Sequence, residues 1–323
     1  SFALLESRSA IGGTWDLFRY PGIRSDSDMY TFSYGSKPWL AKQSLGDGAR
    51  ICNYIKEAAA EAGVDKHIRF QHKVLSASWS SDEACWTVTA LRADIDETVC
   101  VSCNFLMMCC GYYDYETGYT PDFPGRDSFS GQIIHAQQWP EDLNYENKRV
   151  IVIGSGATAV TLIPELAKQT SHTVMLQRSP TYIYSQPIED PWAVTLRKFL
   201  PNSWAFLITR WKQMAAQMFG YQIARKMPGL ARRALLQQAR DALGADYDIE
   251  KHFTPGYNPW DQRVCAVPEN DLFKAISEGR AEVVTDKISS FTETGIQLES
   301  GSSLEADIIV LATGLNMKYL GGA

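Results

Sequence analysis

The sequence predicts an α/β fold, because a strand, a glycine-rich turn, a helix and a second strand follow one another in its middle. RVIVIG, which starts at Arg149, is a continuous apolar run of the kind that is buried on both faces of a parallel sheet. SGATAVTLIPELAKQ predicts the following helix, and HTVMLQR, which starts at His172, predicts the next strand. Elements in this order define a βαβ unit.

The elements around this unit are shorter. FALLE, which ends at Glu6, predicts a strand, and a helix is expected near Ala49–Ala62. VLSASWSSDEACWTVTAL predicts two antiparallel strands around the polar turn SSDEA. Towards the end of the chain, AEVVTD, SSFTET and GIQLES predict short strands, and ADIIVLATG predicts an apolar strand that ends in a glycine loop.

The composition is that of a globular protein with room for two core-bearing domains. The chain has 323 residues, of which 45% are hydrophobic and 21% charged, and its formal net charge is -6. This composition argues against intrinsic disorder, and the negative charge argues against a nucleic-acid partner. No apolar run reaches the roughly 18 residues of a membrane span, and no export signal is visible. Because the chain opens with Ser1 inside an apolar strand, we expect it to be a piece of a longer protein.

The cysteines predict a reducing compartment, the cytoplasm, because seven of them occur without an export signal. Cys100 and Cys103 form a CxxC pair, for which a zinc site or a redox disulfide are the functional possibilities. A zinc site needs a second ligand pair at short spacing and none follows, so no metal site is expected. VCVSCNFLMMCCG alternates like a strand, so we expect buried thiols that act as small hydrophobes.

The segment 192–244 is predicted to be helical and is strongly basic. It holds nine lysine or arginine residues against one acid, Asp241. A basic amphipathic stretch can make peripheral contact with a membrane surface or bind an acidic partner. The alternative, which we favour, is a solvated face beside a phosphate-bearing cofactor.

The turn GSGATA fits the G-x-G-x-x-G/A pattern of dinucleotide-binding folds, and it lies between a strand and a helix as that pattern requires. Gly154 allows the tight turn, Gly156 lets the backbone approach a pyrophosphate, and Ala159 packs the helix on the sheet. Helix N–H groups and the helix dipole then hold the phosphate. A plain glycine turn is the alternative.

The end of the second strand predicts NADPH as the dinucleotide. An NAD site carries Asp or Glu there, which bonds the ribose 2′-OH. Here the strand ends in Gln177, Arg178 and Ser179, without an acid. Arg178 can pair with a 2′-phosphate and Ser179 can donate to it. An arginine that merely caps the strand is the alternative.

The start of the chain indicates a second dinucleotide site. Glu6 ends an apolar strand, as a ribose-binding acid does, and its glycine turn would lie about 20 residues earlier, before Ser1. A surface glutamate is the alternative, and Glu6 alone does not decide between them. The adjacent Gly12 and Gly13 allow close approach of the backbone to a ligand.

Four motifs in this order resemble those of type I Baeyer–Villiger monooxygenases, within the flavin-containing monooxygenase superfamily. GGTWDLFRYPGIRSD resembles their (A/G)-G-x-W-x4-(F/Y)-P-(G/M)-x3-D signature, and FSGQIIHAQQWP resembles their F-x-G-x3-H-x3-W-P fingerprint. GSGATA resembles their NADPH turn, and ADIIVLATG resembles an Asp-strand-ATG element. RYPGIRSDSDMYT, VIVIGSGATAVTL, LQRSPTYI and YNPWDQR are most similar to the ethionamide-activating branch.

The resemblance implies two interleaved Rossmann-like dinucleotide-binding domains. The FAD domain is expected over residues 1–145 and again over 311–323, and the NADPH domain over 146–310 with a helical insertion at about 190–245. The implied enzyme uses NADPH and O2 to convert ketones to esters or lactones through a C4a-peroxyflavin, and it also oxidises sulfides or thioamides. The first FAD glycine motif and a C-terminal segment of the family fall outside this chain, so FAD binding and activity are expected of a longer protein.

The resemblance also assigns roles to particular residues. Arg263 matches the family's active-site arginine, whose permanent charge would stabilise an anionic peroxide, and Asp26 matches the acid that holds it. A surface arginine is the alternative for Arg263. His135 matches a histidine that affects turnover, and we expect it to act through linker geometry and nicotinamide placement. The cofactor-binding residues expected are Glu6, Gly12, Gly13, Trp15, Asp26, Tyr30, Gly154, Gly156, Ala159, Arg178, Ser179, Thr313 and Gly314.

Three functions remain open at this point. The first is the ketone-oxidising enzyme. The second is a flavin monooxygenase limited to S- or N-oxygenation, whose shorter fingerprint lacks the pair found here as Trp139–Pro140. The third is a non-catalytic NADP-binding module.

Overall fold

The computed structural model describes residues 1–322, which form two compact units. The first unit comprises Ser1–Phe18, Gly48–Tyr119 and the chain from Leu315 onward, and the second comprises Arg19–Asp47 and Thr120–Gly314. In the described residues, the helices are Thr14–Leu17 (α1), Met29–Phe32 (α2), Gly48–Glu61 (α3), Ala157–Leu166 (α4), Pro191–Leu196 (α5), Asn202–Lys226 (α6), Pro228–Leu243 (α7), Ile249–Phe253 (α8) and Asp271–Ser277 (α9). The strands are Leu4–Leu5 (β1), Ile68–Arg69 (β2), His72–Ser80 (β3), Cys85–Arg92 (β4), Glu97–Cys103 (β5), Tyr113–Gly118 (β6), Gln132–His135 (β7), Arg149–Ile153 (β8), His172–Gln177 (β9), Tyr182–Gln186 (β10), Val264–Pro268 (β11), Ala281–Thr285 (β12), Ile288–Thr292 (β13), Gly295–Leu298 (β14), Ser303–Glu305 (β15), Ile308–Leu311 (β16) and Leu315–Met317 (β17).

The first unit is built from small sheets and one amphipathic helix. β3, β4 and β5 form an antiparallel sheet, β1 pairs with β2 in parallel, and β6 pairs with β17. Helix α3 buries one face, which includes Ile51, Cys52 and Tyr54, and its opposite face is solvated. This spacing of apolar residues is the helical period that the sequence predicts near Ala49–Ala62.

The second unit contains a five-stranded parallel sheet in the order β12-β9-β8-β16-β7. The central strands β8 and β16 are almost wholly buried because they are covered on both faces. On one face, Ile151, Val174 and Ile309 pack against Phe291 and Ile296 of the antiparallel sheet β13-β14-β15. The carboxyl ends of the parallel strands therefore meet at one edge, where loops can assemble a site.

A helical segment, α5 to α8, separates β10 from β11 and is anchored by a buried carboxylate. Asp190 caps α5, where its Oδ1 accepts from the N–H groups of Trp192 and Ala193 at 2.8 and 3.1 Å. Its Oδ2 accepts from Lys212 and Gln213 of α6. Burial acts to raise the pKa of Asp190, but the Lys212 ammonium and the two N–H groups outweigh it and hold that pKa below its ordinary value.

The structure confirms most of the predicted elements. The βαβ unit is β8-α4-β9 with parallel pairing, and the strand pair around SSDEA is the antiparallel pair β3 and β4. ADIIVLATG forms β16, and the basic segment 192–244 is helical. These segments carry strong local periodicity, so short-range pattern was enough to identify them.

The expectation of buried thiols in VCVSCNFLMMCCG is wrong. β5 ends at Cys103, and residues 104–111 that follow belong to no strand. β5 is the edge strand of a three-stranded sheet, so alternation alone does not bury either of its faces. Phe105 is 78% exposed. The thiols of this stretch are exposed or half-buried, and the buried ones lie elsewhere: Cys100, Cys109 and Cys110 are exposed, Cys103 is half-buried, and Cys52 and Cys265 are buried.

The compact units divide the chain at other places than the expected domain limits of 145 and 311. Residues 19–47 and 120–145 belong to the second unit. The later of these segments contains β7, which joins the parallel sheet beside β16. The assignment of FAD to residues 1–145 and 311–323, and of NADPH to 146–310, stays a prediction.

Replacing Asp190 tests the anchor of the helical segment. Asp190→Asn should lower the free energy of unfolding by about 2 kcal/mol at neutral pH, because the amide keeps the cap but leaves Lys212 without its carboxylate. The folded-state pKa of Asp190 lies below its unfolded-state value, so the stabilisation is present above about pH 4 and is lost as the pH falls through the folded-state pKa. Urea unfolding followed by tryptophan fluorescence measures the difference at each pH.

The control is Asp94→Asn, which removes an exposed ion pair with Arg92 and should leave unfolding almost unchanged. The anchor is not supported if Asp190→Asn costs no more than Asp94→Asn, or if its cost is undiminished at low pH.

Candidate active site

The turn after β8 is shaped by the close approach of strand ends. The Ala312 N–H, just after β16, donates to the Ile153 carbonyl at 2.9 Å. The Gly154 N–H donates to the carbonyl of Leu176 in β9 at 2.8 Å. Gly154 has a φ of 137°, and a Cβ placed on it would lie 2.4 Å from the Ala312 carbonyl oxygen. A side chain is therefore excluded at this position by both backbone conformation and space.

Helix α4 begins directly after this turn, at the carboxyl edge of the parallel sheet. Gly156 is the extended residue before the helix, and Ala159 in its first turn is fully buried. The first N–H groups of a helix have no partner inside it, and they carry the positive end of the helix dipole. This end of α4 can therefore accept a phosphate.

The Arg263 guanidinium lies beside the same turn. Arg263 immediately precedes β11, all of whose residues are buried. The packing of β11 in the core therefore fixes the backbone position of Arg263. A Cβ placed on Gly156 would lie 3.4 Å from Arg263 Nη1. Arg263 is exposed and, among the described residues, makes no ion pair. The site thus combines open helix N–H groups with a permanent cation.

Asp26 and Arg263 share a neighbour, the buried thiol of Cys265. Burial raises the pKa of Cys265 to about 12, with the Asp26 carboxylate adding to the rise and the Arg263 guanidinium opposing it. Within residues 1–322, no ion pair joins Asp26 to Arg263 directly. Direct support of Arg263 by Asp26 therefore stays a prediction, and the structure adds Cys265, which sequence reasoning missed because nothing local marks a buried cysteine as part of a site.

The end of β9 presents Arg178 and Ser179 at the same edge of the sheet. Gln177 fixes this strand end, because its buried side-chain amide donates at 2.8 Å to both the His252 carbonyl and Thr285 Oγ1. Ser155 Oγ in the glycine turn donates to the Ser179 carbonyl at 3.2 Å, which links the two loops. Arg178 is exposed and has no ion-pair partner in the described part of the chain.

His135 ends β7, which pairs with β16 so that His135 stands opposite Leu311. Its Nδ1 accepts the N–H of Gln137 at 3.1 Å, which assigns the proton of the neutral ring to Nε2. Thr313 and Gly314 follow β16 at the same edge, where Gly314 has a φ of 120°. The predicted role of His135 in linker geometry remains a prediction.

A cavity of about 500 Å³ lies close to the loop that follows His135, but none of the predicted site residues lines it. Its walls come from one loop and from three residues outside it: Trp139, Glu141, Leu143, Asn144, Tyr145 and Glu146, with Arg19, Pro21 and Gln169. This loop connects His135, at the end of β7, to the start of β8, whereas the glycine turn follows β8. The cavity therefore gives no support to the predicted site residues.

The residues predicted at the start of the chain all lie in the first unit. Glu6 accepts the Arg8 N–H at 2.9 Å. Gly12 has a φ of 135°, and a Cβ there would lie 2.8 Å from the buried sulfur of Cys52. Gly13 has a φ of 52° and leads into α1, which contains the half-buried Trp15. The two glycines are thus required by backbone conformation, and their role towards a cofactor stays a prediction.

Tyr30 lies in the core of the second unit. Its side chain is fully buried, and its hydroxyl accepts from Arg197 Nη2 at 3.3 Å. Arg210 of α6 donates to the carbonyls of Tyr30 and Ser33 at 2.9 and 3.0 Å. Tyr30 therefore helps to hold α2 against the helical segment. The cofactor contact predicted for Tyr30 stays a prediction.

Asp28 is a second buried carboxylate that the sequence reasoning did not single out. It caps α2 by accepting the Thr31 N–H at 3.0 Å, and it accepts from Gln217 Nε2 of α6 at 2.6 Å. An acid three residues before a threonine, ahead of an apolar helix start, is a capping signal that could have identified it. Asp28 and Arg210 together hold the segment after Asp26 against α6.

Gly154→Ala tests the packing of the turn. The substitution should lower the free energy of unfolding by more than about 2 kcal/mol, because the methyl group meets a backbone carbonyl that two strands hold in place. Urea unfolding of the chain, followed by tryptophan fluorescence, measures the loss.

The matched control is Gly279→Ala, because Gly279 also has a positive φ, of 70°, but nothing lies within 4 Å of the position that its methyl group would take. It should cost about 1 kcal/mol from backbone conformation alone. Equal losses for the two variants would show that the approach of Ala312 does not constrain the turn.

Comparison with known proteins identifies the family. A model of the flavin-binding monooxygenase-like family matches residues 44–320. The chain is 55% identical to the FAD-containing monooxygenase EthA of Mycolicibacterium smegmatis, over 100% of this chain and 65% of that protein. It is 52% identical to EthA of Mycobacterium tuberculosis, over 100% of this chain and 66% of that protein. It is 49% identical to the probable FAD-binding monooxygenase AlmA of Acinetobacter baylyi, over 99% of this chain and 64% of that protein.

The chain belongs to the flavin-binding monooxygenase-like family, as the four motifs predicted. It spans 65% to 66% of the length of the EthA relatives that it matches. Among solved structures, cyclohexanone monooxygenase in an open form has a TM-score of 0.78 at 21% identity, covering 98% of this chain and 68% of that chain. OTEMO in complex with FAD and NADP has a TM-score of 0.75 at 23% identity, covering 97% of this chain and 66% of that chain. These likenesses confirm the predicted α/β fold class.

Proposed function

We propose that this chain forms the NADPH-binding part, and a portion of the FAD-binding part, of a flavin-dependent monooxygenase. The observation that carries the proposal is the Arg263 guanidinium beside the glycine turn that opens α4. A permanent cation next to unpartnered helix N–H groups suits a dinucleotide phosphate on one side and a reacting anion on the other. Relatives that are named FAD-containing monooxygenases support the same assignment.

NADPH fits the residues present at the carboxyl edge of the parallel sheet. The backbone at Gly154 and Gly156 would approach the pyrophosphate, where a Cβ on Gly154 would already collide with the protein itself. Arg178 and Ser179 would hold the 2′-phosphate, because both are exposed at the end of β9 and no acid stands there.

FAD fits the first unit less completely. Glu6, Gly12, Gly13 and Trp15 would be its contacts in this unit, and Thr313 and Gly314 are proposed as cofactor contacts of the second unit. When bound, FAD supplies the redox chemistry that links NADPH to O2. This chain spans 65% of the length of EthA from Mycolicibacterium smegmatis, so the activity is proposed for a complete protein of that kind.

Arg263 would assist the oxidation through the positive charge of its guanidinium. Its guanidinium cannot lose its proton near neutral pH, so it would stabilise the negative charge that oxygen gains on reduction. Asp26 would hold Arg263 by the attraction of opposite charges, since both groups act on the pKa of the same neighbour, Cys265. His135 would act as a positioning residue through its bond to the Gln137 N–H.

The proposed substrates are small ketones, which would be converted to esters or lactones, and sulfides or thioamides, which would be oxidised at sulfur. A flavin monooxygenase limited to S- or N-oxygenation is the second candidate.

Free thiols throughout the described residues suit a cytoplasmic setting. Peripheral contact with a membrane through the basic helical segment is also part of the proposal.

Arg178→Ala tests the dinucleotide. The loss of a charge-assisted bond to the 2′-phosphate should weaken NADP⁺ binding by about 10-fold or more and leave NAD⁺ binding unchanged. Isothermal titration of the chain with each nucleotide measures both affinities. Arg280→Ala removes an exposed arginine of the same unit, which pairs with Glu278, and should alter neither affinity. If Arg178→Ala keeps the wild-type preference for NADP⁺ over NAD⁺, Arg178 does not bind the 2′-phosphate.

Arg263→Ala tests the oxidation in the complete protein. Flavin reduction by NADPH should continue in stopped-flow measurements, whereas ester formation from a cyclic ketone should fall by at least about 100-fold, because the developing anion loses its cation. Product analysis with a ketone and a thioether distinguishes the two candidate functions. If the wild-type protein forms sulfoxide but no ester, the second candidate holds, and if Arg263→Ala retains ester formation, Arg263 has no part in it.

A further inference from the structure

Helix α6 is apolar on both of its faces, although only one of them packs against the protein. Ala205, Phe206 and Thr209 are buried and hold α6 on the second unit. The opposite face exposes large apolar side chains at helical spacing, and it is called here the α6 apolar face: Trp204, Leu207, Ile208, Trp211, Met218 and Phe219. A helix that is apolar all round is normally covered on both sides.

The α6 apolar face is continuous and long. Trp204 and Trp211 are two turns apart and are 62% and 66% exposed, and Met218 lies a further two turns along. From Trp204 to Phe219 the face extends over about 22 Å at a rise of about 1.5 Å per residue. Monomeric proteins rarely leave a contiguous apolar surface of this kind in water, so it indicates a binding surface.

The segment that carries this face is basic, although three of its cations pair with acids elsewhere in the chain: Lys212 with Asp190, Arg225 with Asp261 and Arg240 with Glu250. Residues 191–240 contain no Asp or Glu, whereas the chain as a whole has a net charge of -6. Lys198 precedes α6, and Lys226 ends it on the same side as Ile208 and Phe219. Both lysines are exposed and, among the described residues, have no ion-pair partner. The occupant of the face should therefore be both apolar and negatively charged.

We propose that the α6 apolar face inserts into the interface of a bilayer that contains anionic lipids. Tryptophan side chains favour the headgroup level, and lysines beside them can reach the lipid phosphates while their stems stay in the apolar layer. None of the helices that the structure describes combines the length and apolar character of a membrane span, so α6 would lie in the plane of the membrane.

The positive charge of the segment also favours an anionic bilayer over a second copy of the chain as the occupant of the α6 apolar face. Two α6 apolar faces packed on each other would bring the exposed Lys198 and Lys226 of both copies together, and like charges oppose such an interface. The inference extends the membrane contact proposed above and does not depend on the oxidation chemistry, so either can fail without the other.

Vesicle flotation tests the proposal with the complete protein and with this chain. Both should float with vesicles of phosphatidylcholine and phosphatidylglycerol and float much less with phosphatidylcholine alone, and added salt should weaken the binding. Trp204→Ser together with Trp211→Ser should reduce binding to the anionic vesicles by at least about 10-fold, and Lys198→Glu together with Lys226→Glu should do the same.

The control is Trp79→Ser, which removes a half-exposed tryptophan of the first unit and should leave flotation unchanged. Circular dichroism and NADP⁺ titration confirm that each variant is folded. The proposal is overturned if the wild-type proteins do not float, or if the tryptophan variant floats as well as wild type. It is also overturned if only this chain floats, because the remainder of the complete protein then covers the face, or if sedimentation without lipid shows a dimer that Trp204→Ser and Trp211→Ser abolish.

Discussion

The close approach of Gly154 to the Ala312 carbonyl is the constraint on which the candidate site depends. It exists because β8 and β16 are neighbours in a parallel sheet and their chains diverge at the same level. Since no side chain fits at Gly154, the backbone turns sharply there, and α4 starts at the edge where Arg178 follows β9. Arg263 precedes β11 of a separate two-stranded sheet, and its guanidinium lies beside Gly156. The strand order of the parallel sheet and the packing of β11 against α4 thus bring together groups that are more than eighty residues apart in sequence.

In the second unit, the buried carboxylates and the exposed arginines of the candidate site differ in whether they have partners. The buried carboxylates Asp28 and Asp190 are fully engaged by N–H donors and by side chains of α6, as burial of a charge requires. Arg178 and Arg263, in contrast, lie exposed at the strand ends, and in the described residues neither has an ion-pair partner. The two buried carboxylates are thus satisfied internally, whereas the two exposed arginines are available to the anionic ligand proposed for the site.

A structural feature can be predicted from the sequence when it depends on residues that are close together in the chain. The turn GSGATA and the arginine at the end of β9 are recognisable because strand, turn and helix follow one another without a break. The proximity of Arg263 to Gly156 was not derivable from local pattern, because it depends on β11 packing beside α4 after a long helical segment. Cys265 was missed for the same reason. The cysteines near β5 were misjudged because alternation describes the two faces of a strand but not what covers them.

The central claim is that the α4 turn, Arg178 and Arg263 form one binding site for a phosphorylated dinucleotide. Arginine modification by phenylglyoxal, followed by mass spectrometry at each position, tests this claim most directly. Saturating NADP⁺ should slow the modification of Arg178 and Arg263 together by about 10-fold and leave the exposed Arg280 unaffected. Modification of Arg263 at the same rate with and without NADP⁺ would contradict the account.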